Sequence, residues 1–410
     1  MEAATSTAVS VPRGRPVEVA VLDGDRFVVA DDVGDIVPRS THGLYAADTR
    51  FLSMCALQVN GQRLIPLSAR SIRRNAARFY ATNAPGHALH QGALSLMREQ
   101  RIDGSLYDEL LLTNHTPEDL SVVLTLTCAA DFLDLFEVRS RDSQPVQMDC
   151  THAWADNRLV FTCTQDGVGS NTELAFSVMP QRRGSSARFA LQLQSQESWQ
   201  LEVKITPSAD IRAARVPDRV GTLAHAQEPL WHAPRLDTPD ATLQMAYEQA
   251  IRDLHSLEMV SEAGHRLLAA GLPWFVALFG RDMLLTAYET LLLGPDLSVE
   301  VLEALAAFQS TEIDDFRDAE PGKIPHEVRT GRLAGFKRRA GDVPASYPAA
   351  NAPQAWAAGA VVMGLRTLLG IEPYAEQITS ASLPGAPLCR LSGLTHRGRN
   401  IRLRSTSTKR

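Results

Sequence analysis

The stretch Gly271-Leu-Pro-Trp-Phe-Val-Ala-Leu-Phe-Gly-Arg-Asp282 gathers residue types suited to holding a polyhydroxylated ring. Trp274 brings a flat apolar face. Arg281 supplies a charged donor fork, and Asp282 an acceptor for fixed hydroxyls. Gly280 gives a turn just before an apolar helical run that ends near Leu293. An Arg–Asp couple at a helix start is by itself more often a surface ion pair. The element therefore gains weight only from the motifs around it.

Acid–base chemistry needs placed carboxylates, and the chain offers several groups. Asp314, Asp315, Asp318 and Glu320 cluster ahead of Pro321 in what periodicity makes a loop, and acidic loops are ordinarily solvated connections. Glu327 follows His326, but a zinc-binding His-Glu-x-x-His is excluded because Thr330 holds the second histidine's place. Asp131, Asp134 and Glu137 alternate with Phe132, Leu135 and Phe136, which reads as a folded structural segment and not a cation site. The spacing of Cys150, His152 and Cys163 fits no common zinc pattern. There is no phosphate-binding loop, dinucleotide glycine fingerprint or Gly-x-Ser-x-Gly elbow; Gly167-Val-Gly169 reads as a turn in a β region. Neither cofactor nor metal is expected.

The 410 residues carry a formal charge of −6, with 44% hydrophobic and 21% charged residues. Such values suit a globular chain and argue against broad attraction to nucleic acid or anionic lipid. The end of the chain is basic, with Arg397, Arg399, Arg402, Arg404, Lys409 and Arg410. It has no aromatic residue for base stacking, so it reads as a solvated tail. No apolar run is long enough to span a bilayer. The 5 cysteines are scattered with no Cys-x-x-Cys, a usage that suits reduced, buried thiols and a cytoplasmic location.

The elements that must position these residues fall into two halves. Residues 1–18 read as a flexible tail. From 19 to 207 strand-like runs alternate with turns: Phe27–Ala30, Gln58–Gln62 around Asn60-Gly61, Leu106–Thr113, Val122–Thr127, Leu159–Cys163, Leu174–Val178, Phe189–Leu193 and Trp199–Ile205. Short links between so many strands predict an antiparallel β-sandwich. Residues 208–235, with Pro217, Pro229 and Pro234, read as a linker. Residues 236–376 then show helical periodicity. Thr238-Pro239 predicts a cap and first turn, and further helices are expected over Asp282–Leu293, Val299–Gln309 and Pro353–Leu369. This half is expected to be all-α. Residues 377–410 are expected to hold a short β-hairpin, over Leu388–Leu403, and a tail.

Several segments together resemble the bacterial glycogen-debranching, amylo-α-1,6-glucosidase-like proteins of the six-hairpin glycosidase clan. They are His42–Ser53 and Ala130–Arg139 in the β half, then Asp253-Leu254, Trp274–Asp282, Glu320–Arg329 and Tyr347–Trp356. They occur in that family's order across roughly residues 20–404. The resemblance implies carbohydrate metabolism: hydrolysis of α-glucans by two carboxylates, with inversion and a carboxylate separation of ~6.5–9.5 Å. It also implies that Trp274, Arg281 and Asp282 hold the sugar, with His326 and Glu327 lining the same cleft. The implied partner is an α-glucan or oligosaccharide.

The chain departs from that family in one way that bears on catalysis. A six-hairpin (α/α)6 toroid has twelve helices. With ~11–12 residues per helix and ~4–6 per connection, it needs roughly 200 residues or more. Residues 236–376 fall well short, so a partial toroid is expected. Between Arg329 and Tyr347 the resemblance jumps from early to late in the family's helical domain. Thr330-Gly-Arg-Leu333 stands where the expected base would be, and the part expected to carry the acid is missing. An internal deletion explains this; a shorter domain that closes differently is the alternative. Either an inactive relic or a carbohydrate- or partner-binding module is then expected. Helical faces at Leu284/Leu285/Tyr288 and Val362/Leu365/Leu369 would be left open, a route to self-association.

Overall fold

A computed structural model describes residues 18–38, 41–73, 75–86, 89–139, 150–165, 168–209, 224–225, 232–260, 264, 266–315, 319–329, 331, 355–371, 388–396 and 399–404. Asp318, Thr330, Tyr347 and the rest of the junction between Gly331 and Ala355 lie outside these residues. So do Gly167, Arg397, Lys409 and Arg410.

In chain order the β half consists of β1 (Val19–Asp23), β2 (Arg26–Ala30), β3 (Gly43–Ala46), β4 (Thr49–Leu52), β5 (Met54–Val59), β6 (Gln62–Arg63), β7 (Ile65–Arg73), β8 (Ala76–Thr82), β9 (Leu94–Asp103), β10 (Ser105–Asn114), β11 (Leu120–Ala129), the short helix α1 (Leu135–Arg139), β12 (Cys150–Ala155), β13 (Arg158–Gln165), β14 (Val168–Phe176), β15 (Gln181–Arg183), β16 (Ser186–Leu193) and β17 (Ser198–Ala209). Three sheets result, ordered β1-β2-β3-β4, β12-β13-β14-β17-β10-β9-β8-β7 and β15-β16-β11-β5-β6. The pairings are antiparallel, as the turn-rich sequence predicts.

Alternation drives this architecture. Along β9 and β11 every second side chain is buried, so each strand gives one apolar face to a core and one polar face outward. The eight- and five-stranded sheets meet over one such core, which includes Leu57, Leu110, Leu124, Leu126, Phe176 and Val203. The β5–β6 hairpin turns at Asn60 (φ 50) and Gly61 (φ 77), the backbone pair that its Asn-Gly sequence favours. Inside the core, the fully buried Arg98 on β9 forks onto Asp108 of β10 (2.8 and 2.6 Å) and reaches Asp35 (2.7 Å). Burial pushes the Asp35 carboxyl up to about 6 even though Arg98 opposes it.

The second half contains β18 (Ala224–His225), β19 (Arg235–Asp237), α2 (Ala241–Ser256), β20 (Glu258–Val260), β21 (Arg266–Gly271), β22 (Phe275–Phe279), α3 (Gly280–Glu289) running into a 3-10 turn at Thr290–Leu293, α4 (Asp296–Ala307), β23 (Glu327–Val328), α5 (Ala355–Leu369), β24 (Arg390–His396) and β25 (Arg399–Arg404). The expectation of an all-α half is thus corrected. A sheet ordered β18-β20-β21-β22-β23 runs through it, and β19 joins the predicted C-terminal hairpin β24–β25. Apolar runs such as Leu267–Gly271 and Phe275–Phe279 are too short to show a helical or a strand period, and the pairing partners decide. Val168 and Gly169 also prove to be strand residues, opposite Gln165 and Thr164.

Helix ends moved for chemical reasons. The cap of α2 is Asp240 and not Thr238: its carboxylate accepts the Thr242 and Leu243 amides at 3.0 and 3.1 Å. Thr238 supports it one step back, accepting the Asp240 amide. α3 begins at Gly280, and Gly294 (φ 120) with Pro295 ends the following 3-10 turn. Helix α5 packs on α2 and α3. Val362, Leu365 and Leu369 are buried by that packing, which corrects the expected open face on this helix. Leu284, Leu285 and Tyr288 remain exposed. The described residues do not form a toroid. One further core joins the two halves, with Leu22, Phe27 and Tyr45 of the β half beside Leu254, Met283 and Val362.

Candidate functional site

The two helical-half motifs are brought together by β22 and β23. Leu278 pairs with Val328 and Phe279 with Glu327. At the end of β22, the Gly280 amide donates to the His326 carbonyl at 3.1 Å. A Cβ at Gly280 would collide with the Pro325 carbonyl oxygen. Close approach of the two backbones therefore explains the glycine of Gly280-Arg-Asp282. Beyond it, Arg281 is exposed and Asp282 half-buried in the first turn of α3, where the helix dipole favours a carboxylate. The exposed His326 ring meets the Phe279 ring edge-on at 6.0 Å. Arg281, Asp282, His326 and Glu327 thus lie on two directly neighbouring backbone segments.

Beneath this rim lies Arg329, whose side chain is 1% exposed. Its Nη1 donates to Asp48 Oδ1 at 3.0 Å, Nε to Glu327 Oε2 at 3.1 Å, and Nη2 to the Trp274 carbonyl at 2.6 Å. The guanidinium lies over the Phe136 ring at 5.4 Å and the Phe279 ring at 5.2 Å, within cation–π range. Burial opposes its charge, and the Asp48 and Glu327 carboxylates overcome that opposition.

Both β-half motifs feed this junction. Arg50 ties them together by a two-pronged bond to Asp131 (3.1 and 2.5 Å). The helix α1 that carries Phe136 is started by a reciprocal cap: Asp134 accepts the Phe136 amide, and Glu137 accepts the Asp134 amide. Asp131, Asp134 and Glu137 are structural, as their spacing suggested. Just after Arg329 the chain passes between Asp48 and Asp134 at Gly331, where a Cβ would meet both side chains at 2.7 Å. Nearby, burial pushes the Asp25 carboxyl up to about 7; Arg26 opposes this, while Asp48 and Asp23 add to it.

The expected role of Trp274 needs correction. Its ring ranks among the largest fully buried side chains, in the core shared by the two halves, so it presents no face to a sugar. A ring this large contributes more by packing than by exposure. The acidic loop is also partly committed: Asp314 and Ala319 exchange backbone hydrogen bonds of 2.9 Å, while Asp315 and Glu320 are exposed. Among the described residues no cluster of His, Cys, Asp and Glu could hold a metal ion, and no described helix is long and apolar enough to cross a membrane. Sequence reasoning missed Asp48 and Arg329 as a pair. Each stood inside a quoted motif, but nothing in either motif shows that residues so far apart meet.

Residues 21–204 match a family model described as the N-terminal domain of (some) glycogen debranching enzymes. The β half belongs to that domain family. Asp48 and Phe136, which meet Arg329 at the junction, lie within the matched residues. No curated protein matches the chain. Among solved structures, a protein described as a kojibiose phosphorylase from the human microbiome aligns over 70% of this chain and 42% of its own, at 7% identity and TM-score 0.41. A protein described as an aldose 1-epimerase from Escherichia coli K12 aligns over 47% of this chain and 99% of its own, at 9% identity and TM-score 0.32. A polysaccharide lyase aligns over 47% and 32%, at 10% identity and TM-score 0.22. Likeness at this level fixes neither fold nor function, and the chain spans less than half the phosphorylase's length.

Proposed function

We propose that this chain binds α-glucan or oligosaccharide as a glycogen-debranching-type protein and does not hydrolyse it. The commitment of Glu327 carries this reading. It is the carboxylate that β23 brings beside the Gly280–Asp282 turn, and it is ion-paired to the buried Arg329. The Arg329 Nε donates to Glu327 Oε2 at 3.1 Å, which commits this carboxylate to holding the strand pair together. An amylo-α-1,6-glucosidase of the inverting type needs an acid and a base poised across the scissile bond. In our reading Arg281, Asp282 and His326 contact the sugar, and Glu327 braces the backbone that carries them.

The test is calorimetry with a maltosaccharide, alongside glucose release from a phosphorylase limit dextrin. Saccharide binding should weaken about tenfold or more, ~1.4 kcal/mol, in Asp282→Ala, with no glucose released by the parent. Trp274→Ala should lower stability instead of acting on a sugar contact. Binding untouched by both Asp282→Ala and His326→Ala would remove the site. Robust glucose release abolished by Asp314→Asn, Asp315→Asn, Asp318→Asn, Glu320→Gln or Glu327→Gln would establish a hydrolase.

The exposed Leu284 (37%), Leu285 (45%) and Tyr288 (46%) on α3 favour a second reading, a module that completes its helical half with another chain. A sedimentation profile independent of concentration, unchanged in Leu285→Lys, would dismiss self-association as the means.

A further inference from the structure

Cysteine occupies cross-strand register twice in the β half. Cys55 of β5 faces Cys128 of β11, and Cys150 of β12 faces Cys163 of β13. Directly opposed residues of an antiparallel pair point to the same face, with Cβ atoms ~4.5–5.5 Å apart. A disulfide needs ~3.5–4.5 Å between Cβ atoms and tolerates Cα separations of ~4.4–6.8 Å. Both pairs therefore start within reach of a crosslink after a small approach.

Access separates them. Cys55 and Cys128 are buried in the core between the two large sheets. The Cys128 thiol, hydrogen-bonded to Cys55 and buried, is held well above its ordinary pKa, and a protonated, sealed thiol is inert. Cys163 is buried as well, but Cys150 is half-exposed. Cys150 opens β12, which among the described residues is the terminal strand of the eight-stranded sheet and pairs with β13. Cys150, packed against the core but only partly buried, thus stands opposite the enclosed Cys163 at a sheet edge, where an attacking and a resolving cysteine are needed.

We propose that Cys150 and Cys163 form a dithiol site that exchanges with small oxidised thiols and closes to a reversible cross-strand disulfide. Cys150 loses its proton and its thiolate attacks one sulfur of RS–SR. A Cys150–SR bond forms, the S–S bond of RS–SR breaks, and RS⁻ leaves to take up a proton. Cys163 then deprotonates and attacks the Cys150 sulfur, forming the protein disulfide and expelling the second RS⁻, which is protonated in turn. Two protein thiols are oxidised, one small disulfide is reduced to two thiols, and no other oxidant is required. The crosslink would pin β12 at its first residue. Trp154, further along the strand, already bonds the Gly184 carbonyl at 2.7 Å. Drawing the strands together strains the bond, which keeps it reducible.

The experiment treats the folded full chain with oxidised glutathione, blocks remaining thiols with iodoacetamide, and maps peptides by mass. The expected product joins the Cys150 and Cys163 peptides with loss of two hydrogens, while Cys55 and Cys128 stay alkylatable after denaturation. Dithiothreitol should reverse it. Cys163→Ser should stop at a glutathione adduct on Cys150, and Cys150→Ser should give neither adduct nor link. A lasting glutathione adduct on Cys150 in the parent, or no reaction there, would overturn the proposal. So would linkage of Cys55 to Cys128 at the same rate, because it would mean that unfolding exposes both pairs.

Discussion

Arg329 Nη1 lies 3.0 Å from Asp48 Oδ1, and this ion pair ties the second half of the chain to the β half. Both groups are almost fully withdrawn from water, so neither can lose its partner cheaply. Truncating one member of a buried pair typically costs ~3–5 kcal/mol, because the other charge is left uncompensated. Arg329→Met should cost that much, since Asp48 and Glu327 would then face each other without a cation. Asp48→Asn should cost less, because Glu327 still balances the guanidinium. Urea denaturation checks both. A change below ~0.5 kcal/mol in Arg329→Met would show that the junction contributes nothing to stability.

Close backbone approach at Gly280 gives a second expectation. Gly280→Ala drives a methyl group into the Pro325 carbonyl, and overpacking of this kind costs ~1–3 kcal/mol. The segment Pro325-His326 that leads into β23 would have to retreat, so the variant should lose both stability and saccharide affinity. A Gly280→Ala protein with parental stability and affinity would mean that the two motifs need no contact.

The β half was legible because its strands alternate. β9, β10, β11 and β17 bury every second residue or nearly so, and Asn60-Gly61 has only one good conformation between strands. The second half was less legible. Leu267–Gly271 and Phe275–Phe279 carry no period of their own, and they become strands because β20 and β23 offer pairing edges. Residues around Gly280 and His326 were picked out by motif, and the structure places them on adjacent segments. Trp274 was misjudged because an aromatic ring serves packing and stacking equally well, and only its surroundings show which. The Asp48–Arg329 pair was invisible for a different reason: a contact across 281 positions leaves no local signature.

The Arg98 network offers a third expectation, confined to the β half. Its guanidinium holds Asp108 and Asp35 inside the sandwich core. Arg98→Met would strand two carboxylates there and should destabilise the domain by ~3–5 kcal/mol. Asp35 would then gain a proton more readily, so the loss should be smaller in mild acid than at neutral pH. Thermal denaturation at about pH 5 and pH 7.5 measures this; equal losses at both would show that Asp35 does not feel Arg98.

Asp25 gives the expectation with the clearest sign. Its carboxyl is pushed up to about 7 by burial, with Asp48 and Asp23 adding to the rise against Arg26, whereas an unfolded aspartate titrates near 3.8. The folded state therefore holds a proton that the unfolded state has already lost. That contribution to stability is fully present below about pH 3.8, declines as pH rises, and is gone once the pH has passed about 7. The span between the two values corresponds to a few kcal/mol, roughly 1.4 for each pH unit. Above pH 7 the ionised Asp25 also adds negative charge beside Asp48, the carboxylate that anchors Arg329. Asp25→Asn is neutral at every pH and should remove this dependence, so it should be more stable than the parent at about pH 8 and similar to it at about pH 4.5. Urea midpoints across that range make the comparison. Parallel profiles for parent and variant would show that Asp25 is ionised in the folded protein throughout and that burial does not govern its charge.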